Sequence, residues 1–380
     1  MCKRAIFGNI TNLIKKETQM EVVSLRDLER IAKQRTVQDM WDFIDGAAFD
    51  EVTKRRNEQK FKELSINPSF LVDIGTRSTK TTILGEEIDF PIMIAPSGGQ
   101  RQHHPEGELA TARGAGMAGT LYALPTASGY SIEEVANVAS GPLWFQLYHS
   151  ADEITENLVV RAKNAGYKAI CLTIDTPTAG PKEKDLRNDF RRVSHLHNGS
   201  FRDNPEWASR RDIGPRDFAD WDITGFRGLT WERLGWLKSL TGLPLVVKGV
   251  RTVKDAVMCA ENGVDGIVVS NHGGRQIDKT LSSIETLQSI AEAVGDRLEV
   301  YLDSGVRRGS DAFIAIALGA KGVFVGRPLF WGLSYDGADG VKLMLDILRS
   351  EFDRTMAFCG FTRVSDINSS AVHVPSTWNF

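Results

Sequence analysis

From residue 91 onward the chain repeats one unit, and that repetition limits its fold more than any other feature. Apolar runs of strand length occur at 92–95, 120–124, 143–147, 169–174, 245–247, 266–269, 300–302 and 322–325. Between most of them lie segments of helical length and pattern, at 106–118, 131–139, 152–165, 252–262, 283–294 and 309–319. Continuous apolar runs suit strands covered on both faces, and strand–helix alternation is what a parallel sheet requires. Eight such units predict an α/β fold, a (β/α)8 TIM barrel. A doubly wound open sheet is the alternative.

Upstream, residues 24–60 read as helical. Ser24 with Asp27 forms an N-cap pattern, and Val37, Met40, Trp41 and Ile44 recur at helical spacing until Asp45-Gly46-Ala47-Ala48 interrupts it. Short strands or extended chain are expected around 70–72 and 81–85. The expected organisation is an N-terminal extension over 1–23 and a helical capping segment over 24–90. The barrel then spans 91–360, and a C-terminal tail covers 361–380. One interval breaks the rhythm: a polar stretch over 176–229 with Trp207 and Trp221 embedded, which leaves the carboxyl end of the fourth strand. A connection of that length in a compact domain points to a lid or binding loop, or to a partly disordered segment, at the face where barrels place their chemistry.

The residues that end the eight runs converge on that face. They are Pro96 and Ser97; Pro125 and Thr126; Gln146 and Tyr148; Thr173 and Asp175; Lys248; Ser270 and His272; Asp303; and Gly326 with Arg327. Most can hydrogen-bond or ionise. The heptapeptide Ser270–Gln276 sets an imidazole, His272, three residues from a guanidinium, Arg275. A titratable base beside a fixed cation suits deprotonation of an anionic substrate. The segments 302–309 and 322–328 follow the seventh and eighth runs, where barrels bind phosphate with loop amides and helix N-termini. Arg307 and Arg327 supply forked cations there, which points to a phosphorylated cofactor or substrate. Gly114–Gly119 matches GxGxxG but ends a helix and precedes a strand, the reverse of the dinucleotide-binding order.

Composition removes several classes. A net charge of -3 over 380 residues provides no basic face for nucleic acid. No apolar run approaches the roughly 20 residues that span a bilayer. The start lacks a signal-peptide core, and Cys2, Cys171, Cys259 and Cys359 are too dispersed for a disulfide frame or a zinc site. A cytoplasmic protein with reduced thiols is expected. His103 and His104 are adjacent with no further ligands at suitable spacing, so no metal is assigned.

Several of these motifs together resemble the FMN-dependent α-hydroxy-acid oxidases and dehydrogenases. They are Pro91–Pro96, His104–Glu108, Gln146-Leu147-Tyr148, Thr173–Pro177, Lys248-Gly249-Val250, Ser270–Gln276 and Asp303–Gly309, in unbroken order. The resemblance implies FMN as cofactor, a small carboxylate substrate, oxygen or another electron acceptor, and a homo-oligomer, commonly a tetramer. It implies that His272 is the active-site base, with flavin N5 accepting the electrons, and that Asp175 holds the imidazole. Tyr148 would bond the substrate oxygen, and Arg275 its carboxylate. Lys248 would sit by flavin N1 and O2, while Pro96, Ser97, Gly98, Gln146, Thr173 and Ser270 would line the ring. Asp303 would bind the ribityl chain. Ser304, Gly305, Arg307, Gly326 and Arg327 would surround the phosphate.

The resemblance has departures. Phe43 stands where the family usually has a tyrosine at the substrate carboxylate, and Lys182 where it has a second arginine. Pro125 replaces a serine beside the flavin, and Ser304 a glycine of the phosphate loop. Losing a hydroxyl removes a donor, and lysine for arginine exchanges a fork for a point charge. These changes fall mainly on the substrate half of the site and lead to the expectation of a larger, aromatic or otherwise non-standard substrate of a biosynthetic oxidase. An isomerase on the same cofactor, a Schiff-base aldolase through Lys248 and a flavoprotein with lost catalysis are the other readings.

Overall fold

The computed structural model describes residues 22–190, 198–201 and 229–378. Residues 1–21 and most of the polar interval, Trp207 and Trp221 included, lie outside the described residues. Three helices open the chain: α1 (Leu25–Arg35), α2 (Gln38–Asp45) and α3 (Val52–Glu63). Asp27 caps the first of them, its Oδ2 accepting from Ser24 N at 3.1 Å. A two-residue strand β1 (Ser65–Ile66) and a hairpin, β2 (Thr81–Ile83) with β3 (Glu86–Ile88), follow.

Eight parallel strands then close on themselves: β4 (Ile92–Ile94), β5 (Tyr122–Leu124), β6 (Leu143–Leu147), β7 (Ala169–Thr173), β8 (Leu245–Val250), β9 (Gly266–Val269), β10 (Glu299–Leu302) and β11 (Gly322–Val325). The circle is completed where β11 pairs with β4, Val323 opposite Ile92. The expected (β/α)8 TIM barrel is the observed fold, and each of the eight runs supplies one strand. The helices between them are α4 (Gly107–Ala118), α5 (Ile132–Val138), α6 (Asp152–Asn164), α7 (Glu183–Arg187), α8 (Arg233–Thr241), α9 (Val253–Glu261), α10 (Ser283–Val294) and α11 (Gly309–Ala317). Ser131 and Glu134 form a reciprocal capping box at α5, as Ser282 and Glu285 do at α10.

Strand alternation sorts the core into two layers. Inward residues Met93, Ala123, Trp144, Cys171, Val246, Val268, Tyr301 and Phe324 fill the barrel, and Ile83 and Ile88 of the hairpin plug its lower end. Outward residues such as Ile92, Ile94, Phe145, Ile170, Val247 and Val269 pack against the helices. A long helix α12 (Arg327–Phe358) follows β11 and is kinked at Asp336 and Gly337. After it, β12 (Val372–His373) returns to pair antiparallel with β1, which ties the tail to the N-terminal segment. Around 70–72 the chain forms no strand. Leu71 has φ 62° and Phe70 and Leu71 lie in solvent, so neither alternation nor a partner strand holds that segment. Cys171, Cys259 and Cys359 are buried free thiols. Among the described residues no helix is long and apolar enough to cross a membrane.

Candidate active site

The two-residue period that fills the barrel also builds its site. Continuing upward from the inward core residues, Trp144 leads to Gln146 and Tyr148, and Cys171 to Thr173 and Asp175. Val246 leads to Lys248, Val268 to Ser270 and His272, Tyr301 to Asp303, and Phe324 to Gly326. A polar layer therefore lies directly on the apolar one. Above it opens a cleft lined by Pro96, Ser97 and Gly98 on one side and by the loops after β9, β10 and β11 on the other.

His272 and Asp175 come from the ends of non-neighbouring strands, β9 and β7. His272 Nδ1 lies 2.9 Å from Asp175 Oδ1, and both side chains are mostly buried. Their closeness depends on a bulge in β8, where the register shifts between Lys248 and Val250. Gly249 sits in that bulge with φ 108°, and a Cβ there would fall 2.6 Å from Asp175 Cβ. Burial raises the Asp175 carboxyl's pKa, but His272 and then Lys248 outweigh it, so the group stays below the ordinary range. Burial also lowers the His272 pKa, Asp175 opposes that, and Lys248 reinforces it; the net shift is downward. The imidazole is thus neutral near pH 7 with a carboxylate ready to stabilise its protonated form.

A second buried pair supports the cavity floor. Lys248 Nζ lies 3.0 Å from Asp303 Oδ2 and donates to Ser270 Oγ at 3.0 Å. Burial disfavours the ammonium, yet Asp303 and Asp175 hold its pKa above the ordinary lysine value. Gln146 donates to Thr173 Oγ1 at 3.0 Å and accepts from Thr126 N at 3.1 Å. Thr126 Oγ1 in turn accepts from Tyr148 N at 3.0 Å, which fixes the backbone carrying that phenol. Thr173, Ser270 and Asp175 lie behind the lining residues they support.

Three guanidinium groups crowd the opposite end. Arg327 donates to the carbonyls of Ile44, Gly46 and Gly273, each at 3.0 Å. Arg275 donates to Phe43 O at 2.7 Å and Gly46 O at 2.9 Å. The Phe43, Ile44 and Gly46 carbonyls end α2, the negative end of its dipole. Arg307 pairs with Glu58 at 3.2 Å. Burial, then Arg275 and Arg307, push the Arg327 pKa down to about 9.

Beside Arg275 the cavity has an aromatic wall. Phe43 lines the cavity and stacks on Phe190, ring centroids 4.8 Å apart and planes 19° from parallel, while Arg275 lies 5.1 Å over the Phe43 ring. Lys182 is not among the lining residues: its buried ammonium donates to Gly180 O at 2.9 Å. The reason is local, since Lys182 is the N-cap residue of α7 and its side chain turns back along the chain. An ionic cluster joins α7 to α2 and α3. Lys184 Nζ lies 3.1 Å from Asp45 and 3.2 Å from Glu51, and Lys54 Nζ lies 2.8 Å from Asp45.

Three further residues were not singled out in the sequence for these roles. Asn57 on α3 and Asn271 exchange reciprocal amide hydrogen bonds at 2.9 and 2.7 Å, locking the N-terminal segment to the loop that carries His272. Ser304 adopts φ 77°, a conformation costing on the order of 1–3 kcal/mol outside glycine. In the sequence Asn271 was marked by its adjacency to His272 and Ser304 by its place in the phosphate loop, whereas nothing local marked Asn57.

A family model described as FMN-dependent dehydrogenase matches residues 32–374. The chain belongs to this family. It is 41% identical to glycolate oxidase 1 of Oryza sativa subsp. indica over 356 residues, 93% of this chain and 96% of that protein. It is 40% identical to glycolate oxidase of Spinacia oleracea over 363 residues, 95% and 97% of the two chains. Among solved structures, mandelate oxidase with (S)-4-hydroxymandelic acid superposes with a TM-score of 0.86 at 38% identity, covering 93% of this chain and 98% of that one. Mandelate oxidase with (S)-2-phenylpropionate gives 0.84 at 37%, with the same coverage.

The enzyme is an oxidoreductase of the α-hydroxy-acid oxidase type, and its cofactor is FMN. The residues present fit that group. The mutual repulsion of Arg275, Arg307 and Arg327 calls for an anion, and the carboxyl ends of β10 and β11 supply loop amides at the start of α11 and α12. At Gly326 the nearest atom to an added Cβ is Ser97 Oγ at 3.7 Å, so the backbone faces open space. A buried ammonium at the other end suits a ring that gains negative charge.

Proposed function

We propose that this enzyme oxidises a 2-hydroxy acid with a large, flat, apolar side chain to the 2-oxo acid. Arg327, Arg307, Gly305 and Gly326 would hold the FMN phosphate. Ser304 stands beside it, and Asp303 would hold the ribityl chain. Lys248, Gln146, Pro96, Ser97 and Gly98 would border the ring, with Thr173 and Ser270 behind them. When bound, FMN supplies the two-electron acceptor.

The chain's own residues do the rest. His272, neutral and oriented by Asp175, takes the proton the substrate loses, and the resulting imidazolium is held by the Asp175 carboxylate 2.9 Å away. Arg275 receives the carboxylate, its fork steadied by the α2 carbonyls, and Tyr148 bonds the reacting oxygen. Phe43 in the tyrosine's usual place removes a hydroxyl donor and leaves an apolar face. The single observation that carries the substrate class is this Phe43–Phe190 stack beside Arg275. Gly98 and Ala127 border the same cavity with minimal side chains. The structural neighbours are named for mandelate, a 2-hydroxy acid bearing a phenyl ring, which agrees with the reading.

His272→Asn tests the assignment of the base, because asparagine tolerates the φ of 58° at this position. The variant should keep its FMN and lose at least about a thousandfold in the rate of anaerobic flavin reduction by an aryl 2-hydroxy acid. Reduction at the wild-type rate would remove His272 from the chemistry.

A further inference from the structure

Three consecutive residues around the base have left-handed backbone: His272, Gly273 and Gly274, with φ of 58, 67 and 75°. Such a run has no strand ladder to satisfy its amides, so each N–H needs another acceptor. His272 N donates to Ser270 Oγ at 3.1 Å. Gly274 N donates to Asn271, to its carbonyl at 2.9 Å and to Oδ1 at 3.1 Å. Those acceptors belong to the same loop. Gly273 N instead donates to Ser304 Oγ at 2.9 Å, across to the loop after β10.

The same hydroxyl has a second bond. Ser304 Oγ donates to Asp303 Oδ1 at 2.6 Å, and the other oxygen of Asp303 holds Lys248 at 3.0 Å. One atom therefore joins the backbone of the base loop to the carboxylate that fixes the buried ammonium. We propose that Ser304 is a positioning residue that locks the His272 loop onto the Asp303–Lys248 pair, setting the separation between imidazole and ammonium. This rests on His272 being the base. It also accounts for a serine at φ 77°, where glycine would sit without strain: the hydroxyl's two bonds offset the unfavourable backbone.

Two variants separate hydroxyl from backbone. Ser304→Gly removes the hydroxyl and relieves the strain, whereas Ser304→Ala removes the hydroxyl and keeps it. In the FMN-loaded enzyme, hydrogen exchange across residues 271–276, read by mass spectrometry, should quicken about tenfold in both variants, the scale of one lost hydrogen bond. Anaerobic flavin reduction by an aryl 2-hydroxy acid should slow about tenfold in both. The dissociation constant of benzoate, read from the flavin spectrum, should stay within about twofold. Unchanged exchange in both variants would overturn the proposal. So would wild-type reduction rates in Ser304→Gly with only Ser304→Ala slowed, since backbone strain alone would then be responsible. If no 2-hydroxy acid reduces the wild-type flavin, the functional reading fails, and the exchange comparison still decides whether Ser304 anchors the loop.

Discussion

Asp175→Asn isolates the electrostatic part of the base. Asparagine matches aspartate in size, so the tight fit against Gly249 is preserved, and its Oδ1 can still accept from His272 Nδ1. The negative charge disappears, and Oδ2 becomes an amide nitrogen. Asp175 Oδ2 has no hydrogen-bond partner among the described residues, so the new amide meets no established acceptor. In the proposed reaction the imidazolium formed by proton transfer would lie 2.9 Å from a buried carboxylate. Removing one member of a buried ion pair costs about 3–5 kcal/mol. Part of that charge is developed in the transition state, so flavin reduction should slow by on the order of 10²–10³. Rapid mixing under anaerobic conditions measures this directly, with the visible spectrum reporting that FMN remains bound. A variant that keeps its flavin and reduces it within about fivefold of wild type would refute the argument that Asp175 supports a charged imidazole.

Other consequences are independent of that pair. Because His272 must be unprotonated to accept a proton and its pKa is lowered, the acid limb of the reduction rate should have its midpoint below the ordinary histidine value of 6.5; a midpoint above it would contradict the burial argument. Glu108, wholly buried on α4, has its pKa pushed up to about 7 by desolvation. The folded state therefore holds an extra proton above pH 4.5, and stability falls as pH rises toward 7, by roughly 3 kcal/mol in all. Glu108→Gln should be stabilising above pH 7 and nearly neutral below pH 4.5, as followed by urea unfolding, and a pH-independent difference would count against it. Lys184→Ala should weaken benzoate binding about three- to tenfold, because the Lys184–Asp45 and Lys184–Glu51 pairs hold the segment carrying Phe190, and half-exposed pairs are worth up to about 1 kcal/mol each. Unchanged benzoate affinity would detach that cluster from the aromatic wall.

The barrel was legible because its strands are covered on both faces and therefore read as unbroken apolar runs. The strand-end residues were legible for a related reason: a period of two carries the inward face from Trp144 to Gln146 and from Val268 to Ser270 without a change of side. Helix α12 was harder to see, since Gly332, Gly337 and Gly340 and the kink at Asp336 interrupt its periodicity. The closing of the site by the N-terminal segment was not legible at all. Asn57 meets Asn271, and Asp45 meets Lys184, across more than a hundred residues, and neither pair has a local signature. Lys182 shows the converse: its position relative to the family pattern pointed to the cavity, but its place as N-cap of a short helix turns the ammonium to Gly180. Ser304 was visible only as an oddity, and its left-handed backbone and twofold bonding supply the physical meaning.

The most direct test of the account is an anaerobic titration of the purified protein with 2-hydroxy acids of increasing side-chain size, followed at the flavin absorption bands. An aryl 2-hydroxy acid is expected to bleach the FMN bands at lower concentration and faster than glycolate or lactate does. Bleaching by glycolate with the better kcat/KM would contradict the substrate assignment, and a colourless protein that cannot be reconstituted with FMN would contradict the site itself.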